Sequence, residues 1–380
     1  MYRDIFKEEH NILRESLKRF VENEIVPHVD QWEEERYIPK DLFKRMGDMG
    51  YLGIRHPVEY GGSGGDIFMT IVFAEELARC RSCGLSCAVT SHTDMGSPHL
   101  AKAGSADQKE KYLRPIISGE KICAIAVTEP DAGSDVAGIK TTARKDGDSY
   151  ILNGSKVFIT NGYHGDILFV AAKTSPEAGH RGISMFIVER DTPGLSARKL
   201  NKMGWLVSDT AELTFEDCRI PCENLLGEEN KGFYYIMRNF QDERLVISAI
   251  CVSKAQQGME DTIAYAQQRQ TFGKHLSEHQ VIRHKLADMA IQIEAGRQLL
   301  YHAARMYHRG LDWSKEISIC KAFCGEMVNR VAYDCVQIHG GFGYVREYPV
   351  ERMYRDVRVW SIGGGATEVM KNDIAKRMDI

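Results

Sequence analysis

From the start of the chain to about residue 120, apolar residues recur at helical spacing. In HNILRESLKRFVENEIVPHVDQW, the residues Ile12, Leu13, Leu17, Phe20, Val21 and Ile25 follow the three- and four-residue steps of one helix face. YGGSGG at 60–65 interrupts the pattern and DIFMTIVFAEELARC resumes it. From about residue 121 the period shortens. KICAIAVTEP, SYILNGSKVFITNG, DILFVAAKT, GISMFIVERDTPG and AELTFEDCRIP are short β-rich runs separated by turn residues, and this stretch ends near Gly227. Long amphipathic patterns return from Lys231 and predict helices over 233–268, 277–309 and 312–338. No period of 20–50 residues repeats. The expectation is an α+β chain in three regions: helical over 1–120, β over 121–230 and helical over 231–380.

Composition narrows the class. With 380 residues, 43% of them hydrophobic and 27% charged, the chain can bury a sizeable core and does not read as disordered. A net charge of −4 argues against nucleic-acid binding, which calls for a basic excess. No apolar run reaches the ~18 residues of a membrane span. The start, MYRDIFKEEHNILRESLKRF, lacks a signal-peptide apolar block, so a cytoplasmic protein is expected. Cys80, Cys83 and Cys87 are the tightest cluster among ten cysteines. On one helix they would share a face, and no fourth ligand stands nearby, so buried reduced thiols are expected and a metal is not.

Three segments are candidates for chemistry. No G-x-G-x-x-G follows a strand and opens a helix, so a Rossmann nucleotide site is not supported. AVTEPDAGSD (126–135) instead runs from an apolar strand into a turn dense in hydroxyls and free N–H groups, a layout suited to gripping a polar ring or phosphate or simply to a polar turn. KVFITNG (156–162) is a second strand running into a Thr-Asn-Gly turn. SIGGGATEVMK (361–371) reads either as a turn into the last helix, with Thr367 and Glu368 in its first turn, or as bare backbone that lets a ligand oxygen approach peptide N–H groups.

Taken with DTAELTFEDCRIP, LGEENKGF, QRQTFGKHLSEHQ and QIHGGFGYVREYPVERMYRD, these motifs run the length of the chain in an order that resembles the acyl-CoA dehydrogenase family. That family inserts a trans-2,3 double bond into acyl-CoA thioesters. The resemblance implies a helical bundle, a β domain and a C-terminal four-helix bundle, with FAD as cofactor. It implies that Ile125, Ala126, Val127, Thr128, Gly133, Ser134, Phe158, Ile159 and Thr160 line the isoalloxazine. Arg269, Phe272 and Gln280, with Gln337, Ile338, Gly340 and Gly341 of QIHGG, would reach FAD of an adjacent subunit, so the expected state is a homo-oligomer, a tetramer by family. Thr367 and Glu368 would also contact FAD. Ser134, Tyr234, Gln241, Arg244 and Gly365 would meet acyl-CoA, and an electron-transfer flavoprotein would be the electron acceptor. No metal is implied.

Most of the family carries its catalytic glutamate in the C-terminal loop, as Glu-Gly-Thr. The matching residue here is Gly364, and Glu368 falls four positions later. Long-chain-type and isovaleryl-type members place the base on a helix instead, at the position of Glu243 in NFQDERLVISAI. Periodicity agrees in part: Ile236, Phe240, Val246, Ile247 and Ile250 share a helical stripe with Glu243. Either the carboxylate is buried there, with its proton affinity raised for base work, or it lies at the stripe's edge and pairs with an arginine. The resemblance favours Glu243 as base, with β-hydride transfer to flavin N5. Gly364 would then keep only a backbone N–H for the thioester oxygen, and spare room. Gln241 departs from relatives that carry Asp there. Long or branched acyl chains are expected. An acyl-CoA oxidase of the same fold and a non-catalytic FAD- or acyl-CoA-binding homologue are the alternatives.

Overall fold

The computed structural model describes residues 5–380. Among the described residues, eight α-helices form the N-terminal region: α1 (Glu8–Phe20), α2 (Val29–Glu35), α3 (Lys40–Asp48), α4 (Ile67–Ala78), α5 (Cys83–Thr90), α6 (Ser97–Ala103), α7 (Ala106–Gln108) and α8 (Arg114–Ile117). A π-helical turn over Ser91–Gly96 joins α5 to α6. In α1 the buried stripe is Leu17 and Phe20, continued by Val21 and Ile25, while Ile12 is 64% exposed. The inward position near the start of α1 belongs to His10. Its Nδ1 accepts from the Lys7 backbone N–H, so Nε2 donates to Asp66, the residue that caps α4. The cysteine cluster also departs from expectation. α4 ends at Ala78 and Arg81 takes φ +69, so Cys80 lies in the turn and only Cys83 and Cys87 share α5, all three buried as free thiols.

The middle region is one eight-stranded sheet of β1 (Cys123–Ala126), β2 (Thr142–Asp146), β3 (Ser149–Ile159), β4 (Ile167–Lys173), β5 (Ile183–Glu189), β6 (Leu195–Lys199), β7 (Ala211–Pro221) and β8 (Leu225–Leu226). Its order is β6-β7-β3-β2-β4-β5-β8, and β1 pairs in parallel with β4. β4 and β5 read as near-continuous apolar runs because both their faces are covered. Ile167, Phe169 and Ala171 of β4 pack on the side of Leu100, Leu113 and Ile116 from the N-terminal helices. The alternate residues Leu168, Val170 and Ala172 meet Leu152, Leu213 and Phe215 of β3 and β7. This strand periodicity sends one face to the helices and the other to the sheet's own interior.

The C-terminal region holds α9 (Gly232–Gln268), a β9–β10 hairpin (Gln270–Thr271 and Lys274–His275), α10 (Gln280–His308), α11 (Ser314–His339), α12 (Pro349–Val357) and α13 (Thr367–Lys376). α9 packs against α4, α10 and α11 and is buried on every side from Leu245 to Ala255. Residues of α1, α4 and α5 therefore share one hydrophobic core with α9, α10 and α11. The two helical regions, separated in sequence by the β region, are a single packed body in space.

Candidate active site

Glu243 lies on the buried middle stretch of α9 and is 6% exposed. No cation forms an ion pair with it among the described residues. Among the described residues its one side-chain hydrogen-bond partner is Asn239, one turn earlier, whose Nδ2 donates to Glu243 Oε1 at 3.2 Å. Asn239 also donates to the backbone carbonyls of Asp94 and Met95 at 3.1 and 3.2 Å, so the π-helical turn fixes the amide that fixes the carboxyl. Burial pushes Glu243 up to about 8. The Asn239 hydrogen bond and the Arg244 charge oppose that shift, while the neighbouring Asp242 carboxylate reinforces it. Asp242 itself is held by Lys102 at 3.1 Å and Arg55 at 3.5 Å. Of the two sequence alternatives, the buried carboxyl is the one the packing selects.

The glycine loop docks on the same helix. A short 3-10 turn, Arg358–Ser361, leads into Gly363–Gly365, and Ala366 caps α13. Gly364 and Gly365 take φ +63 and +101, conformations that favour glycine. A Cβ on Gly364 would lie 2.1 Å from Ile247 Cδ1, and one on Gly365 would lie 3.7 Å from Arg244 Nε. Arg244 and Ile247 follow Glu243 on α9 by one and four residues, so loop and base face one locality. The spare room expected at Gly364 is absent, because Ile247 fills it. Glu368 is exposed in the first turn of α13, away from the apolar stripe that buries Glu243.

The β region contributes the third wall. Register shifts in the β3–β7 pairing between Lys156 and Ile159 turn Phe158 outward at φ +61, with its ring 66% exposed. The Val157 N–H donates to Thr128 O at 2.9 Å, which brings the two predicted turn motifs side by side. Burial pushes the Cys87 thiol up to about 12; the neighbouring hydroxyls of Ser91 and Thr160 oppose that shift and the Glu243 charge adds to it, so the thiol lies between this edge and Glu243. Thr128 and Thr160 are half-buried, and Gly133 and Ser134 are exposed. The side chains of Ala126, Val127 and Ile159 point into core, so only their backbone is offered to a ligand, and Ile125 packs partly against it.

Two residues behind this wall escaped the sequence reading. Glu129 accepts from Lys156 Nζ at 2.7 Å and from the Lys140 and Thr141 N–H groups at 2.5 and 3.0 Å, and so shapes the AVTEPDAGSD turn. An inward-facing lysine in the SKVFIT strand was the available signal. Asn161, at φ +60, donates to Ala88 O at 2.9 Å and ties the second turn to α5.

Unpartnered polar atoms surround the loop: Arg244 Nε and Thr367 Oγ1 are buried without a hydrogen-bond partner. Gln241 donates to Ser314 Oγ at 3.0 Å, and Tyr234 is exposed beside Lys231. A cleft of about 310 Å³, lined by His99, Lys102, Tyr235 and Arg238, opens onto Asn239. A larger cavity of about 440 Å³ lies elsewhere, beside Arg14, Glu75 and Glu76, whose charges already pair with one another.

The remaining predicted residues gather far from Glu243. Arg269 ends α9, on the order of 39 Å along the helix from Glu243 at 1.5 Å per residue. There its guanidinium sits 5.7 Å over the Phe342 ring, and Tyr265 stacks on His339 at 4.2 Å. Phe272, Gln280, Gln337, Gly340 and Gly341 are exposed at this end, while Ile338 is buried. One chain does not bring the two predicted sets of cofactor residues together.

Family models match three consecutive stretches of the chain. They are the acyl-CoA dehydrogenase N-terminal domain over 7–120, the middle domain over 124–218 and the C-terminal domain over 230–379. The chain belongs to the acyl-CoA dehydrogenase family. It is 43% identical to the long-chain specific acyl-CoA dehydrogenase, mitochondrial, of Sus scrofa, over 99% of this chain and 88% of that one. Among solved structures it resembles an acyl-CoA dehydrogenase from Geobacillus kaustophilus, at 43% identity and a TM-score of 0.95 over 99% of each chain. It also resembles a structure described as PigA with FAD and proline, at 29% identity and a TM-score of 0.95 over 98% of each chain. As a member of this family the chain is an oxidoreductase. The β-region edge fits an FAD ring: an outward Phe158, half-buried Thr128 and Thr160, and open space above Gly133 leave a cradle of donors.

Proposed function

We propose that this acyl-CoA dehydrogenase uses FAD to form a trans-2-enoyl-CoA, with Glu243 as the base, on long or branched acyl chains. The observation that carries the assignment is a buried carboxyl, with no ion pair among the described residues, on the stretch of α9 against which the glycine loop docks. FAD, when bound, supplies the acceptor for the β-hydrogen, which leaves as a hydride. Thr128, Ser134 and Thr160, with the backbone around Phe158, would hold its ring. Glu243 takes the α-proton onto a carboxylate oxygen, and the electron pair of that C–H bond becomes the new double bond. A thioester α-proton is too weakly acidic for an unaided carboxylate. The Gly364 N–H therefore donates to the thioester oxygen as negative charge develops there. Arg244, whose buried Nε has no hydrogen-bond partner among the described residues, would contact the CoA portion. The distance between the two sets of cofactor residues supports a site completed by a second copy of the chain, and an electron-transfer flavoprotein is the proposed acceptor of the electrons.

The test is anaerobic titration of the purified yellow protein with acyl-CoAs of graded length and branching. Bleaching of the flavin absorbance is expected, fastest for long or branched chains. A protein that takes up no FAD, or whose flavin no acyl-CoA bleaches, would refute the proposal. Rapid stoichiometric hydrogen peroxide release in air would identify an oxidase instead.

A further inference from the structure

The glycine loop is held from behind by one ammonium. Lys321 sits in the middle of α11 and is 1% exposed. Its Nζ donates to Trp360 O at 3.0 Å and also to Gly365 O. Those carbonyls flank the segment that carries Gly363 and Gly364, so a single side chain spans the loop from one end to the other. The same face of α11 supports the loop at two further levels. At Gly325, one turn on, a Cβ would stand 2.7 Å from Trp360 O. Asn329, a turn further, donates to Gly325 O at 2.7 Å, Val357 O at 3.1 Å and Ser361 Oγ at 3.2 Å.

No carboxylate forms an ion pair with Lys321 among the described residues. The groups that face it are Cys251 and Arg244 from α9 and Glu368 from α13. A buried cation in such surroundings is costly, and an apolar side chain of similar size would fill the space without that cost. Three successive glycines, on the other hand, have the greatest backbone freedom of any tripeptide, and an N–H donor stabilises an oxyanion only when its direction is fixed beforehand.

We propose that Lys321 is a positioning residue for dehydrogenation: by gripping Trp360 O and Gly365 O it fixes the direction of the Gly364 N–H toward the thioester oxygen. The inference rests on the role given to Gly364 above. A charged donor suits the task because its hydrogen bonds to carbonyls are stronger than those of a neutral one. Burial pushes the ammonium down to about 8, with Arg244 acting in the same direction and Cys251 and Glu368 opposing, so the grip weakens as pH rises through that value.

The experiment compares FAD-loaded wild type, Lys321→Met and Lys321→Arg. The first readout is binding of an acyl-CoA thioether, which has no carbonyl to polarise. The second is the enolate absorbance of a bound 3-ketoacyl-CoA, which needs no hydride transfer. The third is single-turnover flavin reduction. Lys321→Met should bind the thioether like wild type. It should lose most of the enolate signal and reduce flavin about a hundredfold more slowly, in the range expected for loss of one oxyanion donor. Lys321→Arg should recover part of both losses. Wild-type enolate signal and rate in Lys321→Met would overturn the proposal, as would a loss of thioether affinity as large as the loss of rate. Should Lys321→Met fail to accumulate as a flavoprotein, wild type decides: flavin reduction must decline above about pH 8, and a constant rate to about pH 10 would count against the lysine. A wild type that no acyl-CoA reduces would refute the proposed function instead, while the enolate readout would still judge Lys321.

Discussion

Residues 239–247 of α9 and residues 363–368 at the head of α13 each carry a glutamate, and they treat it in opposite ways. Glu243 is buried and has, among the described residues, an amide as its one hydrogen-bond partner, whereas Glu368 stands exposed in a first helical turn. The dry site raises proton affinity and makes a base suited to pH near neutrality. The wet one provides a helix-start acid that complements the dipole. What the loop contributes is backbone: two residues at positive φ and an N–H, pressed against Ile247. In the proposed mechanism, base and oxyanion donor are divided between a rigid helix and a glycine turn.

The severest break of this contrast is Glu243→Gln. Removing the proton acceptor should slow single-turnover flavin reduction by at least roughly a thousandfold while FAD content and acyl-CoA binding stay intact. Equal rates in Glu243→Gln and wild type would sink the assignment.

Moving the base to the loop sharpens the comparison. In a Glu243→Gly background, Gly364→Glu should recover no flavin reduction, since its Cβ collides with Ile247 and its φ is positive. Adding Ile247→Gly should restore part of it, roughly a hundredth of the wild-type rate, because the supporting shell was built around the helix base. Recovery in the double variant without the Ile247 change would show that the packing at Gly364 does not govern where the base can stand.

A third expectation concerns pH. With Glu243 pushed up to about 8, kcat/KM should rise about tenfold per unit as pH approaches that value, and above it the loss of the Lys321 ammonium should turn the rise into a decline. Stability runs the other way. A carboxyl whose folded pKa exceeds its unfolded one favours the fold at low pH, and that contribution is lost as pH rises through about 8. Thermal unfolding at pH 9 should therefore find Glu243→Gln gaining on wild type relative to pH 6. Asn239→Leu removes the hydrogen bond that opposes the burial shift, so the activity limb should move to higher pH and the rate at pH 7 fall about tenfold, the worth of one hydrogen bond to a carboxylate. An unshifted limb would mean that Asn239 does not tune the base.

The smallest expected effect belongs to the exposed carboxylate. Glu368→Gln should change flavin reduction by no more than about threefold, as for an exposed group outside the proton transfer. A loss rivalling that of Glu243→Gln would reverse the comparison.

Much of this was legible along the chain because it depends on neighbours close in sequence. The period of apolar residues marked the helical, β and helical regions, since a helix or strand buries a face that recurs every three to four or every two residues. The motif order identified the family and pointed to Glu243 over Glu368. Periodicity alone misjudged Ile12 and drew Cys80 onto a helix that a left-handed Arg81 had already ended. It also left Glu243 undecided between burial and an ion pair, because a stripe does not say what packs over it. Tertiary structure decided that question by bringing α9 under the turn that carries Asp94 and Met95, some 150 positions earlier. It likewise placed Ile247 where spare room was expected and Lys321 behind a loop about forty residues away. It separated Arg269 from Glu243 by about seven turns of α9. These are matters of which distant segments press together and exclude water, and proton affinity, free volume and loop rigidity all follow from that packing.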